Sequence, residues 1–423
     1  MIDLLAEEME ESDDGFQISE NFKIAVLLWV DDVVSCVEGA ENQKKILKKI
    51  DKFAIKHKIK WGQDKCKVMR IGKHKDKKQD WKVGKMDITE TSKYTYLGDT
   101  ITNDGKNKEN ISLRKTRLHA TIININTIAE SEILNRIETS VLLELHEKMN
   151  IPSLLNNSES WNLIKSEEEN LEMIEIQTLK ELFDLPLHTP NAAIIHTFGT
   201  LYTKQRVDQK LLMYLHKILN KAEGNWVKKT LLLLKSMNIG WFKKIMNLLE
   251  TYKLTTDFDT IKAQPLNTWK NKIQTAIERK NKERINQDCH KLVNGISVLK
   301  SKTKTIPHQL ARSNYRRQPT KEILNLSKQE TKTVVIARYR MLECGQNFKG
   351  TLNETCDQCH SLDDENHRLN HCIKWKNINF HDSNVDAKYD DIFSDNLEIL
   401  RNVIPSIEKV WNTRNAHGTM KTE

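Results

Sequence analysis

One apolar segment near the start of the chain constrains its fold more than any other feature. Residues 24–30 read Ile-Ala-Val-Leu-Leu-Trp-Val, a run of strand length that stops at Asp31 and Asp32 and resumes as Val-Val-Ser-Cys-Val over 33–37. Two runs rich in β-branched residues on either side of a short polar break are typical of a β-hairpin. The sequence therefore predicts a buried hairpin with two adjacent carboxylates at its turn.

The segments around this hairpin predict an α+β arrangement for the first hundred residues. Residues 1–9 fit a short helix, and 41–58 place apolar side chains at helical spacing with lysines on the other face. Further short strands are predicted at 68–72 and 94–98, the second leading to a glycine turn at 103–105. We expect a short antiparallel sheet that the helix at 41–58 covers on one side.

Beyond residue 106 the sequence favours helices. The 423 residues include only 14 Gly and 7 Pro, and helical spacing predicts helices at 107–134, 136–149, 166–184, 205–221, 226–254 and 267–295. We therefore expect an α+β domain at 1–105, a helical region at 106–260, a helical and basic linker region at 261–345, and a small metal-binding module with a tail at 346–423.

The positive charge of the chain is concentrated. In total 67 Lys and Arg oppose 58 Asp and Glu, a net charge of +9, whereas residues 44–93 alone contain 18 Lys and Arg against 6 Asp and Glu. The local excess of 12 exceeds the net charge of the whole chain, which favours a polyanionic partner. No apolar run approaches the roughly 20 residues that span a bilayer, and residues 1–14 are acidic rather than signal-like. We expect an intracellular protein, cytoplasmic or nuclear, with no membrane partner.

Two adjacent carboxylates at a tight turn can bind Mg²⁺, because this ion prefers oxygen ligands and lets substrate phosphates complete its shell. That is the chemistry of nucleotidyl transfer. An ordinary solvated turn is an alternative interpretation, since Asp is a common turn residue. A third, the metal-side strand of a P-loop NTPase, is weaker because the chain has no GxxxxGK[ST] match.

Residues 27–34 (Leu-Leu-Trp-Val-Asp-Asp-Val-Val) resemble the Tyr-x-Asp-Asp hairpin of reverse transcriptases, especially those of non-LTR retrotransposons, with Trp29 in place of the usual Tyr or Phe. Residues 60–69 (Lys-Trp-Gly-Gln-Asp-Lys-Cys-Lys-Val-Met) are similar to the next palm motif of that family, and 94–101 (Tyr-Thr-Tyr-Leu-Gly-Asp-Thr-Ile) to its primer grip. Segments 158–161 and 185–190 are similar to stretches that come after the palm. These motifs stand in the family's order.

The resemblance implies a palm that transfers a deoxynucleotide to the 3′-hydroxyl of a DNA primer on an RNA template. Asp31 then ligates the catalytic Mg²⁺, Asp32 shares or supports that role, and Lys65 neutralises or protonates the leaving pyrophosphate. Tyr96, Leu97 and Gly98 contact the primer. From the residues alone, Lys65 can equally be a solvated lysine, and the tyrosines at 94 and 96 can simply pack against the core.

Reverse transcriptases also need an upstream metal-binding Asp and, after it, a nucleotide-binding motif that contains Gly and Gln. Only thirty residues precede Asp31, and residues 2–8 resemble the family's stretch just C-terminal to that motif. The resemblance thus implies that the chain begins within the palm and is inactive as a polymerase by itself. The rival hypothesis is a non-catalytic RNA- or DNA-binding protein that uses the lysine-rich stretch 44–93 and the C-terminal cysteines. A third possibility is an unselected remnant that folds only in part.

Three of the seven cysteines lie close together near the C-terminus with a histidine between them. Cys356, Cys359, His367 and Cys372 spell Cys-x2-Cys-x7-His-x4-Cys. Three thiolates and one imidazole complete a closed tetrahedron around Zn²⁺, which indicates a structural site. His371 is a possible competitor of His367, and a chance group of buried thiols is the alternative. The pattern is also similar to the zinc knuckle that lies C-terminal to the polymerase in many non-LTR retrotransposons.

Overall fold

The computed structural model describes residues 2–11, 14–20, 22–30, 32–72, 79–128, 131–293, 321–339, 353, 355–357, 359–364, 367–372, 389–394 and 396–418. These residues are mostly helical, with short and mainly antiparallel sheets, which agrees with the predicted α+β class. They form two compact units, one from residues 1–112 and 217–244 and the other from residues 113–216 and 245–423. The four-part division inferred from the sequence remains a prediction.

The first unit holds all the described strands. Its elements are α1 (Ile2–Glu10), β1 (Phe16–Ser19), β2 (Phe22–Ile24), β3 (Val26–Trp29), β4 (Asp32–Ser35), α2 (Ala40–His57), β5 (Lys67–Val68), β6 (Trp81–Val83), β7 (Met86–Glu90), β8 (Lys93–Tyr96) and β9 (Asp99–Thr102). Hairpins join β1 to β2, β3 to β4 and β8 to β9, and β7 lies between β5 and β6. Strands β1, β2, β6, β7 and β9 were not foreseen in the sequence.

The predicted hairpin is β3–β4. Its strands are antiparallel, and Leu28 pairs with Val33 and Trp29 with Asp32, so a two-residue turn connects them. The hairpin is buried only at its base, because Val26 is 7% exposed whereas Trp29 is 60% and Val30 82% exposed. The expectation of a hairpin is therefore confirmed, whereas the expected burial holds only at its base, because most residues of both strands are half-buried or exposed.

Helix α2 covers the hairpin as its pattern predicts. Its buried side chains include Ile46 and Phe53, which pack in one apolar cluster with Leu5 and Met9 of α1 and Val26 of β3. A second cluster joins α2 to the β5–β7–β6 sheet; its buried members are Leu47, Val68, Trp81, Val83 and Ile88. The helix thus positions the hairpin by packing against its base.

Most of the remaining helices belong to the second unit. The elements C-terminal to β9 are α3 (Lys108–Ile128), α4 (Ser131–Arg136), α5 (Thr139–Leu145), a π-helical turn (His146–Asn150), α6 (Ile151–Leu155), α7 (Lys165–Leu182), α8 (Asn191–Phe198), α9 (Thr203–Leu219), α10 (Trp226–Met237), α11 (Gly240–Thr251), α12 (Phe258–Ala263), α13 (Leu266–Val293), α14 (Lys321–Leu324), α15 (Lys328–Arg338) and α16 (Leu397–Gly418). No helix among the described residues is long and apolar enough to cross a bilayer.

Two predicted helices differ from the observed ones. The helix expected at 226–254 is broken between α10 and α11, because Asn238 and Gly240 adopt left-handed φ values of 52° and 56°. The helix expected at 136–149 continues beyond its predicted end, through the π-helical turn at 146–150 and into α6, which contains Pro152. Pro152 lacks the N–H that would continue the α-helical ladder, and the turn before it widens to π geometry.

A buried ion network lies within the second unit. The carboxylate of Glu175, 1% exposed on α7, lies 3.3 Å from Nε of Arg206 and 3.6 Å from Nε2 of His146, and it accepts a hydrogen bond from Thr203 Oγ1. Burial raises the pKa of Glu175, but Arg206 and His146 outweigh this effect, so the net pKa is lowered. The ionised carboxylate therefore belongs to the folded state.

Replacing Glu175 with Gln should destabilise the protein by about 3 kcal/mol, since the largely buried guanidinium of Arg206 loses a carboxylate partner. The control Glu169→Gln, on the exposed face of the same helix, should change stability by less than about 0.5 kcal/mol. Because the folded-state pKa of Glu175 is lowered, its contribution is complete above pH 4.5 and disappears as the pH falls. Urea titrations at several pH values measure both effects. Equal losses in the two variants at neutral pH would contradict the assignment.

Candidate functional site

The first group of predicted site residues surrounds the tip of the β3–β4 hairpin. Asp32 is the first residue of β4, is exposed, and lies opposite Trp29. Asp31 lies outside the described residues. Val30, which precedes it, has a left-handed φ of 56°. Two-residue hairpin turns favour positive φ, but in a β-branched residue this conformation is strained by about 1 kcal/mol or more. The strained turn persists because the paired strands on both sides define it.

The β8–β9 hairpin contains the predicted primer-contact residues. Tyr96 pairs with Asp99 across a two-residue turn in which Leu97 and Gly98 have φ values of 49° and 86°. Positive φ at both positions is the signature of the type I′ turn that suits a tight hairpin. Gly98 meets this requirement easily, whereas Leu97 is a second exposed, bulky residue in a left-handed conformation.

The charge of Asp32 acts on two tyrosines of the β8–β9 hairpin. Tyr94 and Tyr96 alternate with Thr95 along β8, and both are half-buried while Thr95 is exposed. Burial raises the pKa of both tyrosines, and the negative charge of Asp32 raises it further. Because such an electrostatic effect weakens with distance, both phenols are within electrostatic range of the Asp32 carboxylate.

Lys65 stands in a turn whose backbone contacts the same hairpin. The N–H groups of Lys65 and Cys66 both donate to the carbonyl of Gly62 at 3.1 Å, and the Tyr94 hydroxyl donates to the Lys65 carbonyl at 3.3 Å. The Lys65 side chain is exposed. Three segments that are far apart in sequence, around residues 32, 65 and 95, are therefore neighbours in the first unit.

Two thiols near these tyrosines were missed by sequence reasoning. Cys36 comes directly after β4, and Cys66 directly after Lys65; each is half-buried, and burial raises the pKa of each thiol. Protonated, they behave as small apolar side chains. The only signal for Cys36 was its position at the end of the second apolar run, which does not reveal that it lies near Tyr96.

The segments that resemble stretches after the palm have structural roles in the second unit. Trp161 is 5% exposed, and the Arg114 guanidinium lies 4.9 Å from its ring centroid. Residues 185–190 form the loop between α7 and α8, where Lys180 Nζ donates to the Leu187 carbonyl at 2.9 Å and to Asn191 Oδ1 at 3.0 Å. Burial lowers the pKa of Lys180 to about 8. This lysine was not singled out in the sequence.

The second group of predicted residues forms the Cys3His cluster, defined as Cys356, Cys359, His367 and Cys372. Their ligand atoms all lie within 4.8 Å of one another. His371 is exposed and is not part of the group. The four side chains selected by their spacing are therefore those that the fold brings together, and they can hold a metal ion.

Backbone geometry explains how the two halves of the cluster meet. Thr355 and Leu362 form a β-bridge, and inside it the Cys356 N–H donates to the Ser361 carbonyl at 2.8 Å. His367 begins a π-helical turn whose first N–H donates to Asp364 Oδ1 at 2.7 Å, and the Cys372 N–H donates to the His367 carbonyl at 2.8 Å. A π turn aligns residues five positions apart, so His367 and Cys372 point the same way.

The cluster is attached to the apolar core of the second unit. Cys356 and Cys372 are 3% and 0% exposed and pack in the same cluster as side chains of α15 and α16, such as Val335 and Leu400. Cys359 is the exposed member. A metal bound here would therefore connect the loop at 355–372 to the helices of the core.

The sulfur separations fit a tetrahedral metal better than a disulfide. Cys356 Sγ and Cys372 Sγ are 3.7 Å apart, and Cys359 Sγ is 4.0 Å from Cys372 Sγ and 3.2 Å from His367 Nε2. Metal–sulfur bonds of about 2.3 Å at the tetrahedral angle place two sulfurs roughly 3.8 Å apart. A disulfide needs about 2.05 Å. The donor set thus matches a closed site with no open position for a substrate.

Comparison with known proteins yields no family model that matches this chain and no curated protein with significant similarity to it.

Purified protein should contain one tightly bound metal ion per chain, which elemental analysis measures. Cys356→Ser should abolish this binding and lower the melting temperature, because a core thiolate is lost. The control His371→Ala, one residue before a ligand, should keep the metal and the melting temperature. Full metal content in Cys356→Ser, or loss of metal in His371→Ala, would refute the ligand assignment.

Proposed function

We propose that this chain carries the second half of the palm of a reverse transcriptase of the non-LTR retrotransposon type, an RNA-directed DNA polymerase. The observation that supports the proposal is the proximity of three motif segments. Asp32 lies near Tyr94 and Tyr96, and Tyr94 is hydrogen-bonded to the backbone of Lys65. The partners are an RNA template and a DNA primer.

In this proposal each residue has a distinct task. Asp31 and Asp32 hold Mg²⁺, which when bound activates the primer 3′-hydroxyl and neutralises charge on the leaving pyrophosphate. The exposed position of Asp32 leaves its oxygens accessible to both the ion and the substrate. Lys65 adds positive charge on the pyrophosphate side, and Tyr96, Leu97 and Gly98 contact the primer end.

We also propose that this chain does not extend primers by itself. Two-metal phosphoryl transfer needs a further carboxylate opposite the Asp31–Asp32 pair. Among the described residues, the Cys3His cluster is the one group of three or more potential metal ligands, and Asp32 belongs to no such group. An incomplete carboxylate set holds the metal and the triphosphate too weakly for primer extension. In this proposal the chain still binds nucleic acid.

The ion proposed for the Cys3His cluster is Zn²⁺. Three thiolates and one imidazole favour it over harder cations, and a closed site gives it a structural role. Since Cys356 and Cys372 lie in the core, Zn²⁺ stabilises the second unit rather than taking part in the chemistry at Asp32. In the proposal this cluster is the counterpart of the zinc knuckle of the family.

A second candidate function is non-catalytic RNA or DNA binding through the lysine-rich stretch 44–93. Lys48 and Lys52 favour it, because both are exposed on α2 and neither forms an ion pair with a described residue. Neighbouring Lys45 and Lys49 are instead paired with Asp14. This candidate predicts binding without any preference for a primer end.

Localised hydroxyl-radical cleavage separates the two candidates without requiring catalysis. We expect Fe²⁺ in place of Mg²⁺ to cut a labelled primer–template within a few nucleotides of the recessed 3′ end, because Asp31 and Asp32 hold the ion there. The protein is first saturated with Zn²⁺ so that the Cys3His cluster does not take up iron. Asp32→Asn should abolish the focused cleavage.

The control for this experiment is Asp87→Asn, which removes the same charge from an exposed position of β7. It should leave the cleavage pattern unchanged. Uniform cleavage along the duplex, or focused cleavage that survives in Asp32→Asn, would refute the catalytic assignment and favour the second candidate. Primer extension by the chain alone, lost in Asp31→Ala, would refute the proposed inactivity.

A further inference from the structure

A second cationic surface lies on residues 226–244, which belong to the first compact unit. Helices α10 and α11 meet there at a tight turn over residues 238 and 239. Between Glu223 and Glu250 the chain has no acidic residue and five lysines: Lys228, Lys229, Lys235, Lys243 and Lys244. The stretch therefore has a local charge of +5, and no motif of the proposed palm includes it.

Large apolar side chains are exposed on α10 and on the turn that follows it. Trp226 is 50%, Leu232 46%, Met237 56% and Ile239 44% exposed. Single exposed apolar residues are ordinary, but four within fourteen positions, interspersed with lysines, form a mixed surface that binding can cover. We define the α10–α11 surface as these four residues together with Lys229 and Lys243.

The lysines of this stretch differ in their surroundings. Lys228 is 5% exposed and donates to the Lys221 carbonyl at 3.2 Å and to Glu223, so it serves the fold. Lys229 is exposed, with its Nζ 5.9 Å from the ring centroid of Phe22. Neither Lys229 nor the exposed Lys243 forms an ion pair with a described residue. These two lysines can neutralise phosphates without first breaking a salt bridge.

We infer that the α10–α11 surface binds single-stranded nucleic acid, with Lys229 and Lys243 on the phosphates and Trp226 stacked on a base. Aromatic, cationic and aliphatic side chains alternate along the exposed face of α10, at positions 226, 229 and 232, which suits a strand that presents bases and phosphates in turn. A membrane-binding helix would instead gather its apolar residues on one side and its lysines on the other. This inference rests on the proposed function only in taking nucleic acid as the class of partner.

The double variant Lys229→Gln/Lys243→Gln tests the phosphate contacts. Each phosphate of a single strand that the protein neutralises contributes about 0.7 to the slope of log K against log salt, so the slope should fall by about 1.4. Fluorescence anisotropy of a labelled single-stranded oligonucleotide at several salt concentrations measures it. The control Lys270→Gln/Lys272→Gln, at exposed positions of α13, removes the same charge and should keep the slope.

Trp226 variants test the stacking contact. Trp226→Leu keeps the apolar bulk but should weaken binding roughly tenfold, and Trp226→Phe should restore most of the affinity because it retains an aromatic face. Thermal melts confirm that each variant is folded. Equal affinity in Trp226→Leu and the unmodified protein would refute the stacking contact.

The outcomes also separate this inference from the proposed function. Suppose that Fe²⁺ bound to the unmodified protein cleaves the primer near its 3′ end as expected, but that the lysine variants show an unchanged slope of log K against log salt. In that case only the α10–α11 surface is wrong. If the unmodified protein binds no nucleic acid, both proposals fail. Binding to anionic phosphatidylserine vesicles that is lost in the lysine variants, with nucleic-acid binding unchanged, would overturn the inference in favour of a membrane partner.

Discussion

The two-residue connection between Trp29 and Asp32 is the constraint on which the rest of the site depends. Side chains alternate between the faces of a strand, so a one-residue slip in the β3–β4 pairing would move Leu28 and Val33 from the core side to solvent. Packing against α1 and α2 opposes such a slip. The same register that buries these apolar side chains presents Asp32 at the tip, where the tyrosines of β8 lie near it.

The tips of both hairpins are strained, because each is a two-residue turn that favours positive φ. Val30 and Leu97 occupy left-handed positions that Gly or Asn would fill more easily, and both are exposed. Nothing in the described core requires a bulky side chain at either position. Strained, exposed residues beside a carboxylate and two phenols are typical of a site that contacts a ligand.

The sequence predicted the parts of the molecule that depend on local pattern. The β3–β4 hairpin could be predicted from an apolar run that two aspartates interrupt, and the Cys3His cluster from its Cys-x2-Cys spacing. Both are short-range signals. Strands β6 and β7 were missed because each is short and lies within the lysine-rich stretch, with only Gly84 to mark the turn between them. The break at Asn238 was missed because the apolar pattern continues on both sides of it, although Asn238 and Gly240 are residue types that commonly end helices.

Contacts between segments that are distant in the sequence could not be predicted from local sequence patterns. No spacing indicates that Tyr94 is hydrogen-bonded to the Lys65 backbone, or that Cys356 and Cys372 pack in the apolar core of the second unit. Both result from tertiary packing. The second changes the physical interpretation of the Cys3His cluster, because a metal ion bound there would stabilise the helices of the core around it.

The pKa of Tyr96 tests the central claim, that Asp32 at the hairpin tip lies beside the tyrosines of β8. It can be measured by ¹³C NMR of Cζ-labelled tyrosine, with Tyr96→Phe to assign the resonance. A nearby negative charge disfavours the tyrosinate, so Asp32→Asn should lower the pKa of Tyr96, leaving the part of the elevation that burial causes. Asp87→Asn should leave it unchanged. An unaltered Tyr96 pKa in Asp32→Asn would contradict the account.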